Sequence, residues 1–209
     1  KLNYPNYDIL LVDNSASKNY AKKIKKMGIK VVHVDRTGNP KEIVADSRNV
    51  LRQKALEGNY DFLLSLEQDV IPPKSIIQRL LKHNKKIVSG IYFKLFNLRI
   101  KFANKEVIKK QLRPILYLPI PNQKDKMHFA TSKDVEGEKL LKAKMAGLGC
   151  ILIHKSVLEK IQFRVPKDLI SYDDACFAED AEKNKFNIYA DTSVKCKHLI
   201  LEKNDKSSN

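Results

Sequence analysis

The sequence predicts an α/β fold: a mostly parallel sheet with helices on its faces, joined to a smaller antiparallel portion. Through the first 92 residues, apolar runs of strand length alternate with helical patterns, the signature of strand–helix units. Beyond Tyr92 the period falls to two, with Phe96, Leu98, Ile100 and Phe102 alternating with polar residues. The chain has 209 residues and 43% hydrophobic content, enough for one domain with a real core.

Taken in order, Tyr7–Asp13 is an apolar run closed by the turn formers Asp13-Asn14-Ser15. A lysine-rich helical pattern covers residues 17–27 and stops at Gly28. Ile29–Val34 is β-branched and reads as the next strand. Pro40 opens a long helix that ends at Glu57 before Gly58-Asn59. Tyr60–Leu66 is a strand, Pro72-Pro73 start a helix reaching His83, and Ile87–Tyr92 is a fourth strand. Arg113–Ile120 is a further extended run, whereas residues 122–144 are polar, weakly periodic and expected to form a long loop. Gly147–Ile153 is a strand, a short helix begins at Ser156, residues 174–184 are helical, and residues 188–198 complete the sheet. The polar tail 201–209 lies beyond this single domain, whose halves divide near residue 92.

Forty Lys and Arg against 24 acids give a formal charge of +16. Seven of the 40 are arginine, so the excess consists mainly of lysine. Lysine is a diffuse point charge, while base readout favours arginine; specific nucleic-acid binding is therefore not expected. A solvated basic surface fits better, with peripheral contact to an anionic membrane as the partner it suits. No apolar run is long enough to span a bilayer. Three widely spaced cysteines without a C-x-x-C pair read as reduced thiols of a cytoplasmic protein.

Three distant stretches fit one chemical task. Asp61–Asp69 is an apolar run ending on Glu67-Gln68-Asp69, which places carboxylates at a sheet edge where hard divalent cations are held. Ser171–Phe177 supplies the acid pair Asp173-Asp174 at a helix start, and Asp191–His198 ends a strand on an imidazole. Taken singly, Asp69 reads as a turn acid before Pro72, His198 as a strand-end histidine and Asp174 as a helix cap.

In order, these segments resemble a glycosyltransferase of the GT-A fold, similar to family 2 enzymes, over residues 4–199. Tyr4–Ser15 resembles the second strand and its nucleotide-contacting acid, Asp13. Ser47-Arg48-Asn49 resembles the polar helix start beside the nucleotide. Glu67-Gln68-Asp69 stands where the family has Asp-x-Asp, Gly147–Ile153 resembles the acceptor-side strand, and Asp173-Asp174 stands at its Glu-Asp pair. The resemblance implies a Rossmann-like parallel sheet and a preceding strand and helix upstream of Lys1. Glu67 and Asp173 depart from the family residues, and Lys185 replaces a glycine, so Asn184 is expected to take the left-handed cap.

The resemblance also implies roles. Asp69 and His198 hold Mn²⁺ or Mg²⁺, with the imidazole favouring Mn²⁺. Asp13, Arg48 and Glu67 serve a UDP- or GDP-linked sugar, with Arg48 reaching base or phosphate. Gly147, Gly149 and Asp173 face the sugar or acceptor, which is a glycan, lipid-linked or protein hydroxyl. Asp174 is the base of an inverting transfer. Glu179-Asp180 spells the family pair literally but lies 18 residues before His198, whereas Asp174 lies 24 before it and fits the family spacing. Two alternatives stand beside this reading: a sugar nucleotidyltransferase, and a catalytically silent module that binds sugar or an anionic surface.

Overall fold

The computed structural model of the chain describes residues 1–36, 38–102 and 105–199; the tail at 201–209 lies outside the described residues. Strand β1 (Leu10–Asp13), helix α1 (Asn19–Lys26) and strand β2 (Lys30–His33) come first, and β1 and β2 pair in parallel as a separate two-stranded sheet. Helix α2 (Pro40–Glu57) has the bounds its local signals predict. Asn39 accepts from the Lys41 N–H, Glu42 reaches back to the Asn39 N–H, and Pro40 occupies the first turn.

Strand β3 (Phe62–Leu66) leads to β4 (Val70–Ile71), helix α3 (Ile76–Leu81) and β5 (Ile87–Ile91). Strands β6 (Phe93–Phe102) and β7 (Lys105–Pro114), ten residues each, pair with one another as a hairpin that, among the described residues, joins no other strand. Then come β8 (Leu116–Ile120), β9 (Gln123–Phe129), β10 (Leu140–Ala143), β11 (Met145–Ala146) and β12 (Cys150–His154). Helices α4 (Lys155–Leu158) and α5 (Asp173–Lys183) and strands β13 (Ile188–Lys195) and β14 (Lys197–His198) complete the chain.

The main sheet has the order β10-β13-β5-β12-β3. Only β13 and β5 run parallel; β12 is antiparallel to both β5 and β3, and β10 to β13. The expected mostly parallel, Rossmann-like sheet is therefore corrected: strands make up 35% of the chain and helices 25%, in mixed and antiparallel sheets. The reason lies at β12. It enters between two strands from the other half of the chain, and an apolar run reads the same in either direction. The region 122–144, expected as a loop, contributes β9 and β10.

Strand β5 is buried along its whole length and sorts its side chains by the two-residue period. Ile87 and Ile91 join Ile151, Ile153, Phe177 and Ala181 in one core. Val88 and Tyr92 join Cys150, Leu152, Ile76 and Leu80 in a second. Both cores draw on both halves of the chain, so the division near residue 92 does not separate two packing units. Cys150 packs against Gly90, and its sulfur lies 3.1 Å from that of Cys196. No described helix is long and apolar enough to cross a membrane.

Candidate functional site

Arg48, on α2, is the hub of the site. Its Nη1 donates to both oxygens of Asp173, at 2.8 and 2.7 Å, and its Nη2 donates to Oε1 of Glu67 at 2.6 Å. Burial disfavours the guanidinium charge, but Asp173 and Glu67 outweigh it and hold the pKa above its ordinary value. The residue expected to reach a base or phosphate is thus committed to two carboxylates from β3's exit and α5's first turn. Asn14 Nδ2 to Ser47 Oγ, at 3.3 Å, ties the β1 turn to the same helix.

Asp173 and Asp174 open α5, with Tyr172 as the cap residue; Asp174 therefore lies inside the first turn rather than at the cap. Asp174 Oδ1 accepts from the Ala175 N–H at 2.8 Å. Burial, and then the adjacent charge of Asp173, push its carboxyl above the ordinary aspartate range, which strengthens it as a proton acceptor. Glu179 and Asp180 lie farther along the helix, where Arg164 donates to both Asp180 oxygens at 2.8 Å. They belong to a surface ion-pair cluster with Arg164.

Gly149 packs against Glu67 and Tyr92. Glu67 donates its N–H to the Gly149 carbonyl at 3.0 Å, and Gly149 donates its own to the Tyr92 hydroxyl at 2.9 Å. A β-carbon at Gly149 would sit 2.5 Å from Glu67 Oε2 and 2.7 Å from the Tyr92 oxygen. Gly147 likewise lies against Tyr92 and Ile115. Both glycines thus permit close approach by the protein's own tyrosine and glutamate. Burial and then Glu67 raise the Tyr92 hydroxyl well above its usual pKa, so it stays protonated. Sequence reasoning missed Tyr92, which carries no motif beyond its place at the end of β5.

Asp69 and His198 are brought together by β4 and β14, which pair His198 with Val70. The Leu199 N–H donates to the Asp69 carbonyl at 2.7 Å. His198 Nδ1 lies 2.7 Å from the Phe93 carbonyl, which can only accept, so Nδ1 carries a proton. In a neutral ring, Nε2 then presents a lone pair to Asp69 Oδ2 at 3.2 Å. Two acceptors face each other unless the ring is protonated or a cation sits between them. Cis ligands of an octahedral cation at about 2.1 Å are roughly 3.0 Å apart, so the pair fits a shared ion. Tyr92 stacks edge-on against His198 at 5.5 Å and fixes the ring. Among the described residues no three His, Cys, Asp or Glu side chains form a metal-binding group.

Asp13 ends β1 with its carboxylate enclosed. Ser15 donates from N at 3.1 Å and Oγ at 3.0 Å, and His33 Nδ1 lies 3.0 Å away. Burial opposes its ionisation, but the bonds from His33 and Ser15 prevail and hold its pKa below the ordinary value. Asp191, in the third predicted stretch, is bound to His83 at 2.7 Å and to Ser193. A cleft of about 520 Å³ between Lys142, Lys144, Glu182 and Phe186 shares no residue with the carboxylate cluster.

No family model matches the chain, and no curated protein matches it in sequence. Among solved structures it is similar to "Crystal Structure of A197 from STIV", with TM-score 0.50 and 22% identity over 93% of this chain and 86% of that one. At that identity the likeness shows the fold alone.

Proposed function

We propose that the chain transfers a glycosyl group from a nucleotide sugar to an acceptor hydroxyl, with inversion. One observation supports this above the rest. Glu67, Asp69, Asp173 and His198, drawn from three distant stretches, meet around Arg48 and Tyr92, with the partly buried Asp174 next to Asp173. Asp174 accepts the acceptor's proton as the new oxygen–carbon bond forms and the bond to the diphosphate breaks, the electron pair leaving with the phosphate. Asp69 and His198 would hold Mn²⁺ or Mg²⁺, and the ion would supply positive charge for the departing diphosphate. Arg48 fixes Glu67 and Asp173 relative to α5, and Gly149 brings β12 against both Glu67 and Tyr92. Asp13, enclosed by Ser15 and His33, borders the nucleotide side.

Calorimetric titration with UDP and GDP, with and without Mn²⁺, tests the reading. Metal-dependent binding of one nucleotide that disappears in Asp69→Ala supports it; no binding of either overturns it. A silent sugar-binding module is the second reading, favoured because among the described residues no more than two metal-ligand side chains meet. It requires Asp174→Asn to leave every activity unchanged.

A further inference from the structure

The β6–β7 hairpin carries a surface that the transfer reading does not use. Its cross-strand register sorts side chains onto two faces. One face bears Phe96 and Arg113, which dock on Phe129 of β9: the two phenyl rings meet edge-on at 4.8 Å, and the guanidinium lies 5.2 Å from the Phe129 ring. The opposite face bears the cross-strand pair Leu95 and Leu112, then Lys110 and Ile108. These three aliphatic side chains are 41%, 46% and 61% exposed. Val107, 53% exposed, adds apolar surface on the docking face beyond the Phe129 contact. Lys94, Lys109 and Lys110 are exposed on the same ribbon.

We propose that this hairpin is an arm that docks on an anionic lipid surface. Aliphatic side chains beside lysines match the boundary between headgroups and acyl chains: the first enter it, and the second meet lipid phosphate. Charge complementarity favours that occupant, since the chain carries +16 and most of its cations are lysine. Single-stranded nucleic acid is less well matched, because it is held by aromatic stacking and these exposed residues are aliphatic. A second copy of the chain would bring like charge against the same lysines.

The full chain contains no tryptophan, so Ile108→Trp gives a unique fluorophore on the arm. With vesicles of 70% phosphatidylcholine and 30% phosphatidylserine, its emission shifts to the blue and the wild-type chain co-sediments. Pure phosphatidylcholine gives neither result. Ile108→Ser weakens vesicle binding about tenfold, and Lys109→Ser with Lys110→Ser weakens it similarly and reduces its salt dependence. An unshifted Trp, or an Ile108→Ser chain that binds as the wild type does, overturns the proposal and leaves adsorption by charge alone. Dimers by light scattering that Ile108→Ser abolishes, or oligonucleotide binding that competes vesicles off, overturn it in favour of those partners.

Discussion

Replacing Arg48 with alanine separates the two arms of the hub. The arm to Asp173 is buried: the Arg48 and Asp173 side chains are 9% and 3% exposed, and two short charge-assisted bonds join them. Truncation leaves the Asp173 carboxylate in low dielectric without a counter-charge, a defect that costs about 3–5 kcal/mol. The arm to Glu67 ends on a side chain 41% exposed, where water screens the charge. That arm is worth about 0–1 kcal/mol. Arg48→Ala is therefore expected to lose about 3–5 kcal/mol in urea unfolding followed by circular dichroism. Glu67→Gln is expected to lose no more than about 1 kcal/mol. The double variant Arg48→Met with Asp173→Leu recovers much of the loss, because it removes both charges instead of stranding one. A loss under about 1 kcal/mol in Arg48→Ala, or an equal loss in Glu67→Gln, would refute the assignment of the buried arm as dominant.

Asp174→Asn is expected to abolish transfer and to raise thermal stability at neutral pH. Burial and the Asp173 charge raise the folded carboxyl's pKa, so the native state binds this proton more tightly than the unfolded chain. Its contribution is greatest below the unfolded pKa and is lost as pH rises through the folded one. The melting-temperature gain of the variant should thus appear between mildly acid and neutral pH and vanish in strong acid; a variant less stable at neutral pH contradicts this. Gly149→Ala should cost about 1–3 kcal/mol by overpacking against Glu67 and Tyr92, read as a lowered melting temperature. Lys185, not the expected Asn184, adopts the left-handed conformation after α5, with φ of 61° against −87°. Lys185→Gly should therefore stabilise by about 0.5–1 kcal/mol in the same assay.

Local signals carried the elements whose determinants are local. The bounds of α2 follow from Asn39, Pro40, Glu42 and Gly58, all within a turn of the helix ends. Strand direction has no such determinant. Ile151–Ile153 pairs with Ser89, Val88 and Ile87 on one side and with Ser65, Leu64 and Leu63 on the other, partners roughly 60 to 90 residues away. Strand β9, Gln123–Phe129, escaped notice because it belongs to a small three-stranded sheet and buries little, so its sequence is polar. The carboxylates of the site were legible because acids at strand and helix ends stand out against apolar runs. The sequence reads Arg48 as reaching base or phosphate, because its carboxylate partners lie 19 and 125 residues away and leave no local trace. Tyr92 was invisible for the same reason: its partners Gly149 and His198 meet it only through the sheet.

The charge at the site runs against the charge of the chain. Four carboxylates, Glu67, Asp69, Asp173 and Asp174, gather in a protein of net charge +16, and the buried Arg48 contacts only two of them. A diphosphate entering there meets negative charge at short range, where the remote lysines are screened over a Debye length of about 8 Å. On the proposed reading, attraction would then come from a cation that Asp69 and His198 would hold. UDP or GDP binding should accordingly be undetectable in a chelator and return with Mn²⁺. His198→Ala should weaken the Mn²⁺-dependent binding while leaving the fold intact, since His198 is a strand-end residue held by one carbonyl, one carboxylate and the edge-on Tyr92 ring. Tight nucleotide binding in chelator would mean that the phosphates avoid the carboxylates altogether, and the cation would lose its role.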